Sequence, residues 1–119
     1  MLHHVSIEIP PDEAGRSIEF WGLLGFDEVE SPEPLGDAVR WLERDGTQIH
    51  LILTEGHTAP VLGHTAVVAP YHAEAKQRLR DAQFVVEEAR QLWDADRAFA
   101  IAPGGHRVEL MAKPPPRTT

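Results

Sequence analysis

Four side chains that can bind a divalent metal fall at matching places in the two halves of this 119-residue chain: His4, His50, His64 and Glu109. Gly46-Thr47-Gln48-Ile49-His50-Leu51 lies over Gly105-His106-Arg107-Val108-Glu109-Leu110, and His4 lies over His64. Imidazole nitrogens and a carboxylate oxygen are donors that borderline divalent metals prefer, at roughly 2.0–2.2 Å for zinc. Alternation places all four on one kind of surface. His4, Ser6 and Glu8 alternate with Val5, Ile7 and Ile9, and Gln48 and His50 with Ile49, Leu51 and Leu53. His64 sits opposite Thr65 and Val67, and Arg107 and Glu109 alternate with Val108 and Leu110. This is the period-two pattern of half-buried strands, with the donors on the faces away from the apolar core. The plain alternative is a set of polar residues lining an open cleft. On the same faces, His50 and Glu8 are candidates to move a proton, and Arg107, Gln48 and Ser6 are candidates to contact a substrate.

The elements that must hold these residues read as one module written twice. A strand over 2–9 ends at Pro10-Pro11, and Asp12 is the expected N-cap of a helix to about Leu24, with Ala14, Ile18, Trp21 and Leu24 as its stripe. Gly25 is the expected C-cap. Strands follow near 26–30, 38–43 and 47–54, with 31–36 as a loop and Asp45-Gly46 as a hairpin turn. The second half repeats this: a strand over 63–69 closed by Pro70, then a helical stripe of Tyr71, Ala75, Leu79 and Ala82. Strands near 84–88, 97–102 and 106–112 complete it, with Pro103-Gly104-Gly105 as a turn. The expected fold is α+β: two βαβββ modules, about 2–54 and 63–112 of a single domain over 1–119, forming a curved mixed sheet around a metal-binding cup. Residues 113–119 read as a flexible tail.

Composition removes several function classes. A net charge of −8 makes nucleic acid and anionic membranes poor partners, because phosphate binding needs concentrated Lys and Arg. The absence of cysteine excludes disulfides, thiolate metal sites and a cysteine nucleophile, and it suits the cytoplasm. No stretch approaches the roughly 20 apolar residues of a membrane helix, and Met1-Leu2-His3-His4-Val5 gives no expectation of a secretory signal. No phosphate-cradling loop or G-x-S-x-G elbow occurs, and Ser6, Ser17 and Ser31 have no evident base. His3, His57, His72 and His106 read as ordinary structural or solvated residues. Trp21 and Trp41 read as packing residues, and Trp93 as a lid or a dimer contact.

His4-Val5-Ser6-Ile7, the helix end Phe20-Trp21-Gly22-Leu23-Leu24-Gly25-Phe26, and Pro103-Gly104-Gly105-His106-Arg107-Val108-Glu109-Leu110 together resemble the vicinal oxygen chelate superfamily. That superfamily includes glyoxalases, bleomycin resistance proteins and extradiol dioxygenases. The resemblance runs from Leu2 to Ala112. It implies one divalent metal (Fe, Mn, Ni, Co or Zn) held by His4, His64 and Glu109, with His50 at the place of a fourth ligand. It further implies a small oxygen-rich substrate, lyase, isomerase or dioxygenase chemistry, and a homodimer. Two departures stand out. The usual Asp-Pro-Asp-Gly turn is here Ala102-Pro103-Gly104-Gly105, and His50 stands where glyoxalase I usually has a glutamate. The rival implication is a non-catalytic protein that sequesters a planar or cationic molecule. Thiol transfer of the fosfomycin-resistance kind ranks below both, because the short 91–97 loop leaves little room for an anion-binding segment.

Overall fold

The computed structural model describes residues 1–69 and 71–117. Pro70, expected to close a strand, and the last two residues of the 113–119 tail lie outside that set. The observed architecture is the expected α+β one, two βαβββ modules, each forming its own four-stranded mixed sheet. By contacts the chain divides into two compact units. One takes residues 1–59 with the 103–105 turn, and the other takes residues 60–102 and the chain from 106 onward.

In the first unit β1 (His4–Ile9), β2 (Asp27–Val29), β3 (Val39–Arg44) and β4 (Thr47–Leu53) lie in the order β1-β4-β3-β2. β1 runs parallel to β4, with His4 opposite Gln48 and Ser6 opposite His50. The other pairs are antiparallel. The helix α1 (Ala14–Gly22) supplies Phe20 and Trp21 to a core that includes Ile9, Leu42, Ile49 and Leu51.

The start of α1 corrects the expectation for Asp12. Two prolines favour a 3₁₀ turn over Pro11–Glu13, the α-helix begins at Ala14, and no side chain caps it. Its end follows the expectation. Gly25 takes φ +91°, Phe26 N–H bonds to Trp21 O and Gly25 N–H to Gly22 O, the two bonds of a Schellman motif. The hairpin at Asp45-Gly46 has both residues at positive φ, as a type I′ turn requires. The expected 31–36 loop instead contains 3₁₀ turns over Glu33–Ala38, broken by Gly36.

The second unit repeats the plan with β5 (His64–Val68), β6 (Val86–Ala89), β7 (Arg97–Ala102) and β8 (His106–Met111) in the order β5-β8-β7-β6. β5 is parallel to β8, with His64 opposite Arg107. The register matches that of the first unit, since His4 and Gln48 are the repeat equivalents of His64 and Arg107. The helix α2 (His72–Asp81) buries His72, Ala75 and Leu79. Tyr71, placed on the buried stripe by sequence, is instead exposed in a left-handed conformation ahead of the helix, and His72 takes the inward place. β6 begins two residues later than expected, because Phe84 N–H bonds back to Leu79 O and its side chain is buried.

Candidate functional site

The first unit carries His4, Ser6 and Glu8 of β1, Gln48 and His50 of β4, and Trp41 of β3 on the sheet face away from α1. The pleat puts alternate residues on that face. Their rings form a pile: the His50 imidazole stacks on His4 at 4.0 Å and on Trp41 at 4.0 Å, the latter pair within 1° of parallel. His3 meets His4 edge-on, their Nδ1 atoms 3.0 Å apart, so one of the two carries the shared proton. Trp41 is therefore part of this face as well as a packing residue, and only Trp21 is buried in the core.

His50 is buried, and its Nε2–H donates to Gln48 Oε1 at 2.6 Å. The other end of the Gln48 amide donates to Glu43 Oε1 at 2.8 Å. This relay selects one tautomer and leaves Nδ1 as the lone-pair nitrogen. Burial first, then His4 and His3, push the His50 pKa below its usual value, so the ring is neutral near pH 7. Ser6 and Glu8 are exposed on β1.

The second unit builds an ionic centre at the equivalent places. His64 Nε2 lies 3.1 Å from Glu109 Oε1, and the buried Arg97 guanidinium donates through Nε to Glu109 Oε2 at 2.8 Å. A second guanidinium nitrogen donates to Arg90 O at 2.7 Å. His64 Nδ1–H donates to Leu62 O at 2.9 Å, which fixes that tautomer. A neutral His64 then aims a lone pair at a carboxylate oxygen. Two acceptors at this separation need a cation in common, either a proton on Nε2 or a metal ion. Arg107 lies over the Phe99 ring at 4.2 Å.

The predicted ligands thus come together as His4 with His50 in one unit and His64 with Glu109 in the other. Among the described residues no group of three or more His, Asp and Glu side chains is gathered to hold a metal ion. His57 bonds to Gly104 O at 2.8 Å, and His106 is buried on the core side of β8. The Trp93 indole donates to Lys113 O at 3.0 Å and packs near Arg97. Arg97 and Phe99 were missed by sequence reasoning. Their alternation with Ala98, Ala100 and Ala102 was the signal that could have found them.

As a sequence, the chain matches no protein-family model and no curated protein. Solved structures do match. A glyoxalase family protein from Bacillus anthracis superposes with a TM-score of 0.83 at 24% identity, over 93% of each chain. A fosfomycin resistance protein from Listeria monocytogenes gives 0.78 at 15% identity, over 96% of this chain and 91% of that one. Lactoylglutathione lyase from Agrobacterium tumefaciens gives 0.70 at 16%, over 93% and 92%. The fold is that of these glyoxalase-type structures, in keeping with the resemblance carried by the sequence motifs. No helix among the described residues is long and apolar enough to cross a membrane.

Proposed function

We propose that this chain is a divalent-metal-dependent enzyme of the vicinal oxygen chelate type, acting on a small oxygen-rich substrate by lyase, isomerase or dioxygenase chemistry. The observation that carries the reading is the facing of two acceptors, His64 Nε2 and Glu109 Oε1, at 3.1 Å. Donors bound to one metal at roughly 2.0–2.2 Å sit about this far from each other. Each is also anchored from behind, His64 by Leu62 O and Glu109 by Arg97, the outer-shell support that metal ligands characteristically have. His64 and Glu109 would hold the ion, and His4 is the candidate for a third donor that the sequence resemblance supplies. Bound there, it supplies Lewis acidity toward two neighbouring substrate oxygens.

The chain's own residues do the rest. His50, neutral with a free Nδ1, accepts a proton from carbon beside a carbonyl, and Glu8 is the second candidate for that task. Gln48 has both amide ends engaged, so its part is to orient His50. Arg107 and Ser6 contact the substrate. The cytoplasm and a homodimer are the setting in which we place this activity.

The test is elemental analysis of untagged protein after reconstitution with Fe, Mn, Ni, Co or Zn, beside the His64→Ala and Glu109→Ala variants. Near-stoichiometric metal, lost in both variants, is the expected result. Metal retained by both overturns the ligand assignment. No uptake by the unaltered protein favours a non-catalytic binding protein of the bleomycin-resistance kind.

A further inference from the structure

The second unit holds a cation with donors to spare. Arg107 is half-buried on β8, on the sheet face that carries His64, Phe99 and Glu109. Its guanidinium lies 4.2 Å from the centre of the Phe99 ring. Such a stack uses the flat face of the group and leaves its N–H donors, which lie in its plane, to find acceptors. Among the described residues Arg107 makes no hydrogen bond and no ion pair. The carboxylate two residues along the strand is already engaged: one oxygen of Glu109 faces His64 and the other takes Arg97. At the matching place in the first unit, Gln48 has both amide ends occupied.

Half-buried donors left idle are unfavourable, so an acceptor from outside the chain fits here. Arg97 and Glu109 neutralise each other, which leaves Arg107 as the fixed positive charge of this face. A planar, singly charged carboxylate matches both that charge and the fork of the guanidinium. Arg107 is also placed to act together with the candidate metal centre. It pairs in register with His64 across β5 and β8. The Phe99 ring touches both, with the His64 ring nearly perpendicular to it at 5.2 Å. Glu109 follows two residues along the strand, a rise of roughly 6–7 Å that one small molecule can span.

We infer that Arg107, seated on Phe99, is a carboxylate subsite, and that the substrate is a small carboxylic acid carrying its two vicinal oxygens a short carbon chain away. The substrate class rests on the proposed function, whereas the subsite itself needs no metal.

The test begins with the metal-free full chain, titrated with glutarate and with its uncharged diamide, glutaramide, and followed by nuclear magnetic resonance. Saturable binding of glutarate alone is expected, with the Phe99 ring signals moving. Arg107→Gln, which copies Gln48 of the first unit, should weaken glutarate binding about tenfold or more through loss of the charge-assisted pair. Arg107→Lys should recover only part, because an ammonium keeps the charge without the fork. No saturable binding at tens of millimolar overturns the subsite, as does equal binding of glutaramide or an affinity unchanged in Arg107→Gln. Inorganic phosphate bound more tightly than glutarate overturns the choice of carboxylate.

The substrate class is read on the zinc-loaded chain with 2-oxoglutarate against 2-oxopentanoate, which lacks only the remote carboxylate. A preference of about tenfold for the dicarboxylate, absent in Arg107→Gln, is expected. Equal affinity for the two overturns the substrate class. A chain that takes up no zinc yet binds glutarate through Arg107 sinks the metal reading and the substrate class with it, while the subsite stands.

Discussion

The two modules share a backbone plan and a pairing register, yet they fill equivalent positions with opposite chemistry. Where the first has Trp41, His50 and Val39, the second has Phe99, Glu109 and Arg97. The first builds a pile of stacked rings held by dispersion and one amide relay. The second builds a buried ion pair of Glu109 and Arg97 with His64 against the same carboxylate. The residue diagonal to His50 or Glu109 accounts for much of this difference. Val39 leaves His50 to find partners in rings, whereas Arg97 reaches Glu109 and makes a buried carboxylate tolerable. A duplicated scaffold thus keeps its geometry while one pair of substitutions decides whether a position is stacked or ionic.

Breaking the Arg97–Glu109 pair should have the largest effect. Arg97→Ala strands a buried carboxylate, so urea unfolding should show a loss of about 3–5 kcal/mol. The double variant Arg97→Val, Glu109→His, which copies the first module into the second, should recover most of it. Failure to recover would mean that the ion pair itself, and not the removal of an unpaired charge, sets stability here. Next comes the pile. Trp41→Ala should cost about 2 kcal/mol, below the roughly 3–5 of a fully buried tryptophan because Trp41 is half-exposed. A loss as small as that of an exposed substitution would show that the stack adds nothing to the module.

The smallest effect concerns α2. His72 is buried with neither ring nitrogen hydrogen-bonded. Burial first and Lys76 second lower its pKa, against weaker upward pulls from Asp96 and Glu88. The unfolded chain therefore takes up a proton near pH 6.5 that the folded chain refuses. The His72 contribution is complete above that pH and is lost as the pH falls through the lowered folded value. Urea midpoints measured from pH 7.5 down to 5 should fall less steeply in His72→Phe than in the unaltered chain. Equal slopes would exclude His72 as the source.

Much of this was legible in the sequence, and for identifiable reasons. A two-residue turn at Asp45-Gly46 fixes Arg44 opposite Thr47, and counting back places Trp41 opposite His50. That step shows that Trp41, read from sequence only as a packing residue, does its packing on the face that carries His50. Parity put His4, Ser6, Glu8, Gln48, His50, His64 and Glu109 on the correct faces, because a strand's side chains must alternate. The grip of Arg97 on Glu109 was not legible, since an arginine at the start of a strand reads equally well as solvated. The inward turn of His72 was likewise hidden. It depends on Tyr71 adopting a positive φ, which no hydrophobic pattern encodes.

The parallel pairings have a consequence in time as well as in space. The β3–β4 and β7–β8 hairpins join residues close in sequence and can form early, whereas β1 must find β4 with partners such as His4 and Gln48, 44 residues apart. Loop-closure entropy is spent before such contacts return anything, so distant pairings close last. His4 and His64 both ride on those late strands. Each module therefore gains its first-strand histidine only when its chain topology is complete, so under the proposed function a half-folded chain would offer a metal ion little to hold.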